Sequence, residues 1–577
     1  MPIGIGMNWS VLFLAATPLA WLLPNHYFPW GSAWHEAVAL LCVTLALLTA
    51  RVDTRLPVVW AVMFFLGLGS VSLQWLGGHL FFAGDALMVA VYLLALAAAI
   101  AVGSTAKARE AVPSGFDSLP RAPCATIDAY ALGLLLAAVA SVAIALIQWT
   151  GAVSLGIWQV DMPPGGRPFG NVAQPNHLCT IAALGIVAAG LLRQAGRIGT
   201  AGFWVAALWM VFGMVATSSR TGWLQIAALA GMGLAYAARA GMSLRRREAG
   251  IILGVFAVGV AVWPVLNGLL DVQEGRPLEQ FAQPGTRWLH WGALADAVTR
   301  EPLWGYGWQQ VSVAQLRVAE LHPFVGEHIE HSHNLVFDLV IWAGLPVGLT
   351  MAGLAAFWLA TRLRACRDGV TAWLLTGIVM LAVHAMLEYP LSYAYFLVPL
   401  GVLVGAVDAQ MGRTRDLRVG LPIQRIVAAV LLVMLGWIGF DYLKAEQGYR
   451  LLRLESARFG TTGLTTSPPD LQLLTQLEAF QRFAHTEART GMSEAELDAM
   501  RKVTERYAYP SSMLRYALAQ GLNGQSAGAS LTLLRLCRIH PSVRCAEGRE
   551  AWIALRQRHA VLRDVPFPSE AEAYGLR

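Results

Sequence analysis

Two histidines stand two residues apart in Glu330-His331-Ser332-His333-Asn334, where a long polar stretch gives way to the apolar run Leu335 to Leu349. An imidazole titrates near neutral pH, so it can take a proton from an attacking hydroxyl. Such general-base help is worth ~10²–10⁴-fold in rate. Ionisable groups at the edge of apolar runs are costly to keep and mark candidate sites. His333 is the candidate base, with His331 and Glu330 beside it. A histidine at a helix start also serves as a cap or a packing residue, and the residue types alone leave that alternative open.

Two arginines lie at similar boundaries. Arg220 sits in the short turn Thr217-Ser218-Ser219-Arg220-Thr221-Gly222-Trp223, and Arg287 in Gly285-Thr286-Arg287-Trp288-Leu289-His290-Trp291. A guanidinium stays charged and offers phosphate oxygens a planar fork of donors. Arg220 and Arg287 converging on a pyrophosphate is the functional reading. A snorkelling arginine at a helix end and a loop arginine beside an aromatic are the plainer ones.

A second polar cluster, Gly166-Arg167-Pro168-Phe169-Gly170-Asn171-Val172-Ala173-Gln174-Pro175-Asn176-His177, opens an apolar run. Pro175 suits a first helical turn, where no N–H is needed. Gln174, Asn176 and His177 are then expected to face the same boundary as Arg167, either in a site or as caps. A third element, Glu388-Tyr389-Pro390-Leu391-Ser392-Tyr393, offers Glu388 as a partner for an arginine or a histidine and Tyr389 beside it.

The elements that must position these residues are membrane helices. The 577 residues are 56% hydrophobic and 14% charged, against about 25% charged in an ordinary soluble domain. Apolar runs recur at the ~20-residue length that crosses a bilayer. The expected fold is an all-α polytopic membrane protein with about thirteen transmembrane helices, near 9–24, 35–50, 57–74, 85–103, 127–149, 175–192, 201–217, 222–240, 250–270, 334–358, 370–387, 393–410 and 424–442. The first run, Trp9 to Leu23, has no convincing cleavage site and reads as a retained helix.

Basic residues alternate between the loops. Arg51/Arg55, Lys107/Arg109/Arg121, Arg193/Arg197, Arg245/Arg246/Arg247, Arg362/Arg364/Arg367 and Arg413/Arg415/Arg418 mark one side, and 25–34, 75–84, 150–174, 218–221 and 388–392 are poor in them. The positive-inside rule makes the first side cytoplasmic. Arg167, Arg220, Arg287, His331, His333 and everything after Tyr442 then fall outside. The net charge of +6 is explained by these loops and accompanies no nucleic-acid-binding motif, so no nucleic-acid partner is expected.

Two polar pieces remain. Residues 1–442, with the external loop 271–333, form the expected membrane domain, and the loop carries an amphipathic segment from Trp288 to Val298. Residues 443–577 form an expected helical domain, with helices near Asp470–Ala484, Glu494–Tyr507, Ser512–Gly521 and Ser530–Ile539 and no clean tetratricopeptide pattern. Of six cysteines, Cys537 and Cys545 lie close together in this tail. In an oxidising compartment they could pair.

The Ser219-Arg220-Thr221-Gly222-Trp223 turn, Arg287, Pro302 through Gly307, and His331-Ser332-His333-Asn334 resemble the O-antigen ligase and polymerase superfamily over roughly 205–405. Arg167 to His177, with Gln174-Pro175-Asn176-His177-Leu178, and Glu388-Tyr389-Pro390-Leu391 resemble the bacterial O-linked oligosaccharyltransferases, the protein glycosylation ligases of that superfamily. The resemblance implies a multi-pass inner-membrane enzyme with a periplasmic active site and no cofactor or metal. An undecaprenyl-pyrophosphate-linked glycan is the implied donor, and a Ser or Thr hydroxyl of a periplasmic or pilin-type protein the acceptor. His333 is the implied base, since Asn334 follows it directly, and His331 a supporting residue. Arg220 and Arg287 are the implied pyrophosphate ligands, with Arg167, Gln174, Asn176, His177, Glu388 and Tyr389 in support.

An O-antigen ligase passing the glycan to lipid A-core is the alternative, with the same chemistry and another acceptor. A polymerase of lipid-linked repeats is a third reading. A transporter is a fourth, disfavoured because transporters place charges near the bilayer midplane and show internal repeats. The lack of a DxD-type carboxylate pair argues against a metal-dependent nucleotide-sugar enzyme, whose hard cation needs oxygen ligands.

Overall fold

A computed structural model of the chain describes residues 8–106, 124–270, 287–412, 415–456 and 467–574. Lys107, Arg109, Arg121, Arg413, Gly285 and Thr286 lie outside the described residues. The helices are α1 (Trp9–Ala16), α2 (Ala33–Leu48), α3 (Val58–Leu76), α4 (Ala83–Gly103), α5 (Ala125–Thr150), α6 (Pro175–Gln194), α7 (Thr200–Ala216), α8 (Arg220–Tyr236) and α9 (Arg246–Leu269). There follow α10 (Arg287–Arg300), α11 (Val311–Val318), α12 (Leu335–Ala365), α13 (Gly369–Ala385), α14 (Ala394–Met411) and α15 (Leu421–Ser456). The tail adds α16 (Thr475–His485), α17 (Glu494–Arg506), α18 (Pro510–Leu522), α19 (Ser526–Ile539), α20 (Ser542–Arg558) and α21 (Glu570–Tyr574).

The chain is an all-α membrane protein. Among the described residues, eight helices (α3, α4, α5, α6, α9, α12, α14 and α15) are long and apolar enough to cross a membrane. Trp9–Leu22, α2, α7 and α13 are apolar but shorter. One small departure is a two-stranded antiparallel sheet, β1 (Thr54–Pro57) on β2 (Asp416–Val419), with Arg55 opposite Arg418. It joins two of the basic loops, and Arg418 also pairs with Asp53 at 2.6 Å.

The chain folds into two compact units. The first comprises Met1–Phe65, Val91–Gln283 and Leu354–Gly436, the second Leu66–Ala90, Pro284–Gly353 and Trp437–Arg577. Helices α3, α4, α12 and α15 each contribute residues to both.

In the first unit, α6 is the central element. Its residues from His177 to Leu192 are buried, because small side chains (Ala182, Ala183, Gly185, Ala188, Ala189, Gly190) let neighbours approach on all sides. Small residues at helix interfaces serve this purpose where no hydrophobic gain separates helix from lipid. A Cβ on Gly190 would come within 2.3 Å of the Trp373 ring, and one on Gly185 within 2.6 Å of the Met210 sulfur. The two ends of this bundle differ in chemistry. At one end Arg193 pairs with Glu248 at 2.8 Å and Arg362 with Asp408 at 2.6 Å. At the other end gather the turns that carry Arg167, Asn176, Arg220 and Glu388.

Helix α15 runs unbroken from Leu421 to Ser456, with Trp437 onward in the second unit, so the expected division at 442 lies inside a helix. The apolar pattern ends near Tyr442, but Lys444-Ala445-Glu446-Gln447 are good helix formers and carry the turn onward. Asp441 accepts from the Leu473 and Leu474 amides, and Gln481 donates to the Ala445 carbonyl, which fastens the tail to this extension. The expected tail helices are present, and α20 and the short α21 add two that the amphipathic pattern does not reveal. Cys537 and Cys545 form a disulfide between α19 and α20.

Candidate functional site

In the first unit a polar chain links three separate turns. Ser219 is the N-cap of α8: its hydroxyl oxygen accepts from the Thr221 amide and its O–H donates to Asn176 Oδ1 at 2.7 Å. Asn176 Nδ2 in turn donates to Glu388 Oε1 at 3.0 Å. Arg220 is the first residue of α8 and half-buried. A guanidinium at that position adds to the positive end of the helix dipole, a combination that favours anions. Arg167 donates to the carbonyls of Thr217 and Ser218, both at 3.2 Å. These close α7, so the loop 151–174 is clamped onto the turn that presents Arg220.

Not every expected neighbour joins this group. Gln174 is the N-cap position of α6 but its side chain makes no capping bond, and Pro175 takes the first helical turn. His177 was expected to face the boundary. It is instead buried in the bundle, with Nδ1 2.9 Å from the Tyr395 hydroxyl and its ring against Tyr393 and Phe396. Side chains one residue apart on a helix diverge by about 100°, so Asn176 at the rim sends His177 inward. Tyr389 stacks on Tyr393 with centroids 6.0 Å apart.

In the second unit the histidine loop is held from three directions. Asn334 caps α12, its Oδ1 accepting from the amides of Val336 and Phe337. The cap role therefore belongs to Asn334 and not to His333. Asp338, one turn into α12 and 2% exposed, accepts from the Ser332 amide at 2.7 Å and lies 3.6 Å from His331 Nδ1. Trp291 Nε1 donates to the Ser332 carbonyl at 2.8 Å, and the Trp291 ring stacks on Phe337. Since Arg287 lies one turn before Trp291 on α10, the same contact ties the arginine's helix to the histidine loop.

His333 has a φ of 59°. A non-glycine residue in the left-handed region costs of order 1–3 kcal/mol and persists only where its surroundings impose it. Such residues cluster at functional sites. Among the described residues only four non-glycines share this trait: Ala173, Ser218, Gln309 and His333. Ala173 precedes Gln174-Pro175-Asn176, and Ser218 precedes Ser219-Arg220. Three of the four thus fall on segments singled out for chemistry.

The segment Pro302 through Gly307 has a structural task. Helix α12 is broken at Gly344 (φ 76°, ψ 168°). At the break the Tyr306 amide donates to the Ile341 carbonyl at 2.7 Å, Gly307 to Trp342 at 3.1 Å, and the Leu345 amide to the Pro302 carbonyl at 2.8 Å. Gln74 Nε2 caps the seam, donating to the Trp304 and Trp342 carbonyls at 2.7 Å each. The opened helix satisfies its backbone on a neighbouring segment, as apolar surroundings require. This seam fixes the short rod Leu335–Ala343, whose N-terminus carries the histidines.

Asp338 and Trp291 were not singled out from the sequence. Asp338 carried a signal: it is the one carboxylate inside the run Leu335 to Leu349.

Comparison with known proteins finds family models over three stretches of the chain. Residues 205–352 match the O-antigen ligase family model, 168–192 the protein glycosylation ligase model, and 372–551 a model described as the C-terminal part of a virulence factor membrane-bound polymerase. A general O-oligosaccharyltransferase of Acinetobacter baylyi is 26% identical over 556 residues, spanning 92% of this chain and 93% of that protein. A ComP-specific O-oligosaccharyltransferase of the same organism is 29% identical over 247 residues, 42% of this chain and 44% of that one.

Proposed function

We propose that this chain, which belongs to the O-linked oligosaccharyltransferase branch of the O-antigen ligase superfamily, transfers a preassembled glycan from undecaprenyl pyrophosphate to Ser or Thr hydroxyls of periplasmic or pilin-type proteins. The acceptor oxygen attacks the anomeric carbon as the bond from that carbon to the pyrophosphate oxygen breaks. The hydroxyl proton passes to the imidazole of His333, and undecaprenyl pyrophosphate leaves with the bonding electrons. Arg220 and Arg287 neutralise the charge that grows on the departing pyrophosphate, where fixed donors are most effective. Arg167 and Asn176–Glu388 hold the Arg220 turn, and Asp338 with His331 holds the loop of His333.

The observation that carries this reading is the loop 331–334, a histidine kept in a left-handed conformation by a capped helix, a buried aspartate and a tryptophan N–H. An inner-membrane enzyme working on the periplasmic side is supported by the disulfide in the tail, since such bonds persist in oxidising compartments. The match of 168–192 to the protein glycosylation ligase model, beside near full-length similarity to a general O-oligosaccharyltransferase, favours a protein acceptor. Transfer to lipid A-core is the second reading, favoured by the O-antigen ligase match over 205–352.

The test offers purified enzyme one undecaprenyl-pyrophosphate glycan with a pilin-type protein and with lipid A-core, and reads products by mass spectrometry. Glycosylated protein, lost in His333→Ala, is expected. Product on lipid A-core alone would replace the first reading by the second.

A further inference from the structure

The histidine loop is also gripped from its other side, by residues that arrive late in the chain. The segment just before it, 327–330, lies on α11: Gln315 Nε2 donates to the Glu327 carbonyl at 2.8 Å, and the Ile329 amide donates to Gln315 Oε1 at 3.0 Å. Next to it runs the turn 507–509 between α17 and α18. There the Tyr509 hydroxyl is hydrogen-bonded to Glu330, and the His328 ring lies 6.2 Å from that of Tyr509. Behind the turn, Arg506 spans to the start of α4, with Nε and Nη2 each 3.2 Å from an oxygen of Asp85. Both ends of this pair are shielded, 11% and 4% exposed, and Glu330 lies within electrostatic reach of the same guanidinium.

The turn itself is buttressed. Ser312 donates to the carbonyls of Glu505 and Arg506, and His540 Nε2 donates to the Ala508 carbonyl at 2.7 Å. The His540 and His328 rings are 5.7 Å apart. His540 is the first of the two residues between α19 and α20, which the Cys537–Cys545 disulfide ties together. Glycine makes the approach to α4 possible: a Cβ on Gly84 would meet Gln476 Oε1 at 1.8 Å and the Leu473 carbonyl at 2.7 Å.

Glu330 is three residues from His333. A buried ion pair and a hydrogen-bonded tyrosine at that distance serve poorly as stabilisers alone, because desolvating two charges offsets much of their attraction. They serve well to fix geometry, and displacing a catalytic group by about 1 Å can cost 10²-fold in rate. We propose that Arg506 and Tyr509 are positioning residues, which through Asp85 and Glu330 hold the loop that presents His333 to the acceptor hydroxyl. This rests on the assignment of His333 as the base.

The experiment uses full-length enzyme with a lipid-linked glycan donor and a protein acceptor, for Tyr509→Phe, Glu330→Ala, Arg506→Lys and His333→Ala, with thermal midpoints for each. Tyr509→Phe and Glu330→Ala should lower kcat about tenfold, with KM for both substrates within twofold and the midpoint unchanged. Arg506→Lys should behave alike. If it unfolds, Tyr509→Phe decides the matter, since it removes one oxygen only. Wild-type kcat in Tyr509→Phe and Glu330→Ala, a change confined to KM, or a loss that tracks unfolding would overturn the proposal. Full activity in His333→Ala would instead sink the base assignment, while a kcat loss in Tyr509→Phe would still place these residues in control of the loop.

Discussion

At the residue scale the two arginines and the aspartate behind the histidine loop make separable demands. Arg220 offers a fork, and a lysine in its place keeps the charge but not the paired donors. Charge-assisted hydrogen bonds are worth about 1.5–3 kcal/mol each, so Arg220→Lys is expected to lower kcat/KM by roughly 10–100-fold and Arg220→Ala by more. Donor-titration kinetics would check this, and a Lys variant at wild-type rate would refute pyrophosphate contact. Asp338 lies against His331 and accepts from the Ser332 amide. Asp338→Asn keeps the volume and one acceptor but loses the charge facing His331. It should reduce kcat by up to about 10²-fold through misplacement of the loop, with the protein still folded. Of these residues, the histidines and arginines were legible from the sequence because charged groups stand out in apolar surroundings. Asp338 was legible in type, but its role depends on a buried hydrogen bond to a loop that periodicity does not place. The direction of His177 was misread because a run of polar residues at a helix start does not say which of them turns inward.

At the element scale the decisive feature is the break in α12. Gly344 takes a left-handed φ, and a Cβ there would come within 2.1 Å of the Leu303 carbonyl. Gly344→Ala should therefore destabilise the protein by roughly 2 kcal/mol or more and lower transfer as the seam with 302–307 opens. Thermal unfolding and activity together would test this, and an unchanged midpoint would contradict it. Gly305→Ala, which meets the Ile341 carbonyl at 2.5 Å, should not add its full effect to Gly344→Ala, because both distort one seam. The helices themselves were legible, since apolar runs and charged loops dictate them. The break was not, because Gly344 and Pro346 sit within a run that reads as continuously apolar. Helix α20 escaped for the opposite reason: Cys545, Gly548 and Trp552 are its buried contacts, too few to print a helical period. The hairpin it makes with α19 carries its own pH signature. Burial pulls the His540 imidazole down to about 4 from an ordinary 6.5. The unfolded chain then binds the proton more readily than the folded one, so the stability this group allows is full above pH 6.5 and is lost as pH falls towards 4. His540→Asn should flatten the dependence of the thermal midpoint over that window, and a wild-type slope in the variant would refute the assignment.

At the scale of the whole molecule, the distribution of charge makes an orientation claim. The ion pairs Arg193–Glu248, Arg362–Asp408 and Arg418–Asp53 belong to the basic loops, whose expected side by the positive-inside rule is the cytoplasm. The loop 151–174 and the Arg220 turn belong to the basic-poor set, and the disulfide-bonded tail after Tyr442 is expected on the same side. A donor with its charge at the headgroup and its chain in lipid meets enzyme at one membrane face, so a single reversed loop would separate the proposed ligands from the acceptor. The expectation is tested by cysteine labelling after replacing the unpaired Cys42, Cys124, Cys179 and Cys366. Ala152→Cys and Arg247→Cys both introduce thiols at exposed positions. In intact spheroplasts a membrane-impermeant maleimide should label Ala152→Cys, and it should reach Arg247→Cys only after permeabilisation. Alkylation before and after reduction should show Cys537 and Cys545 protected until the disulfide is opened. Labelling of Arg247→Cys in sealed cells with Ala152→Cys protected would invert the molecule and place His333 on the side where no exported acceptor could meet it.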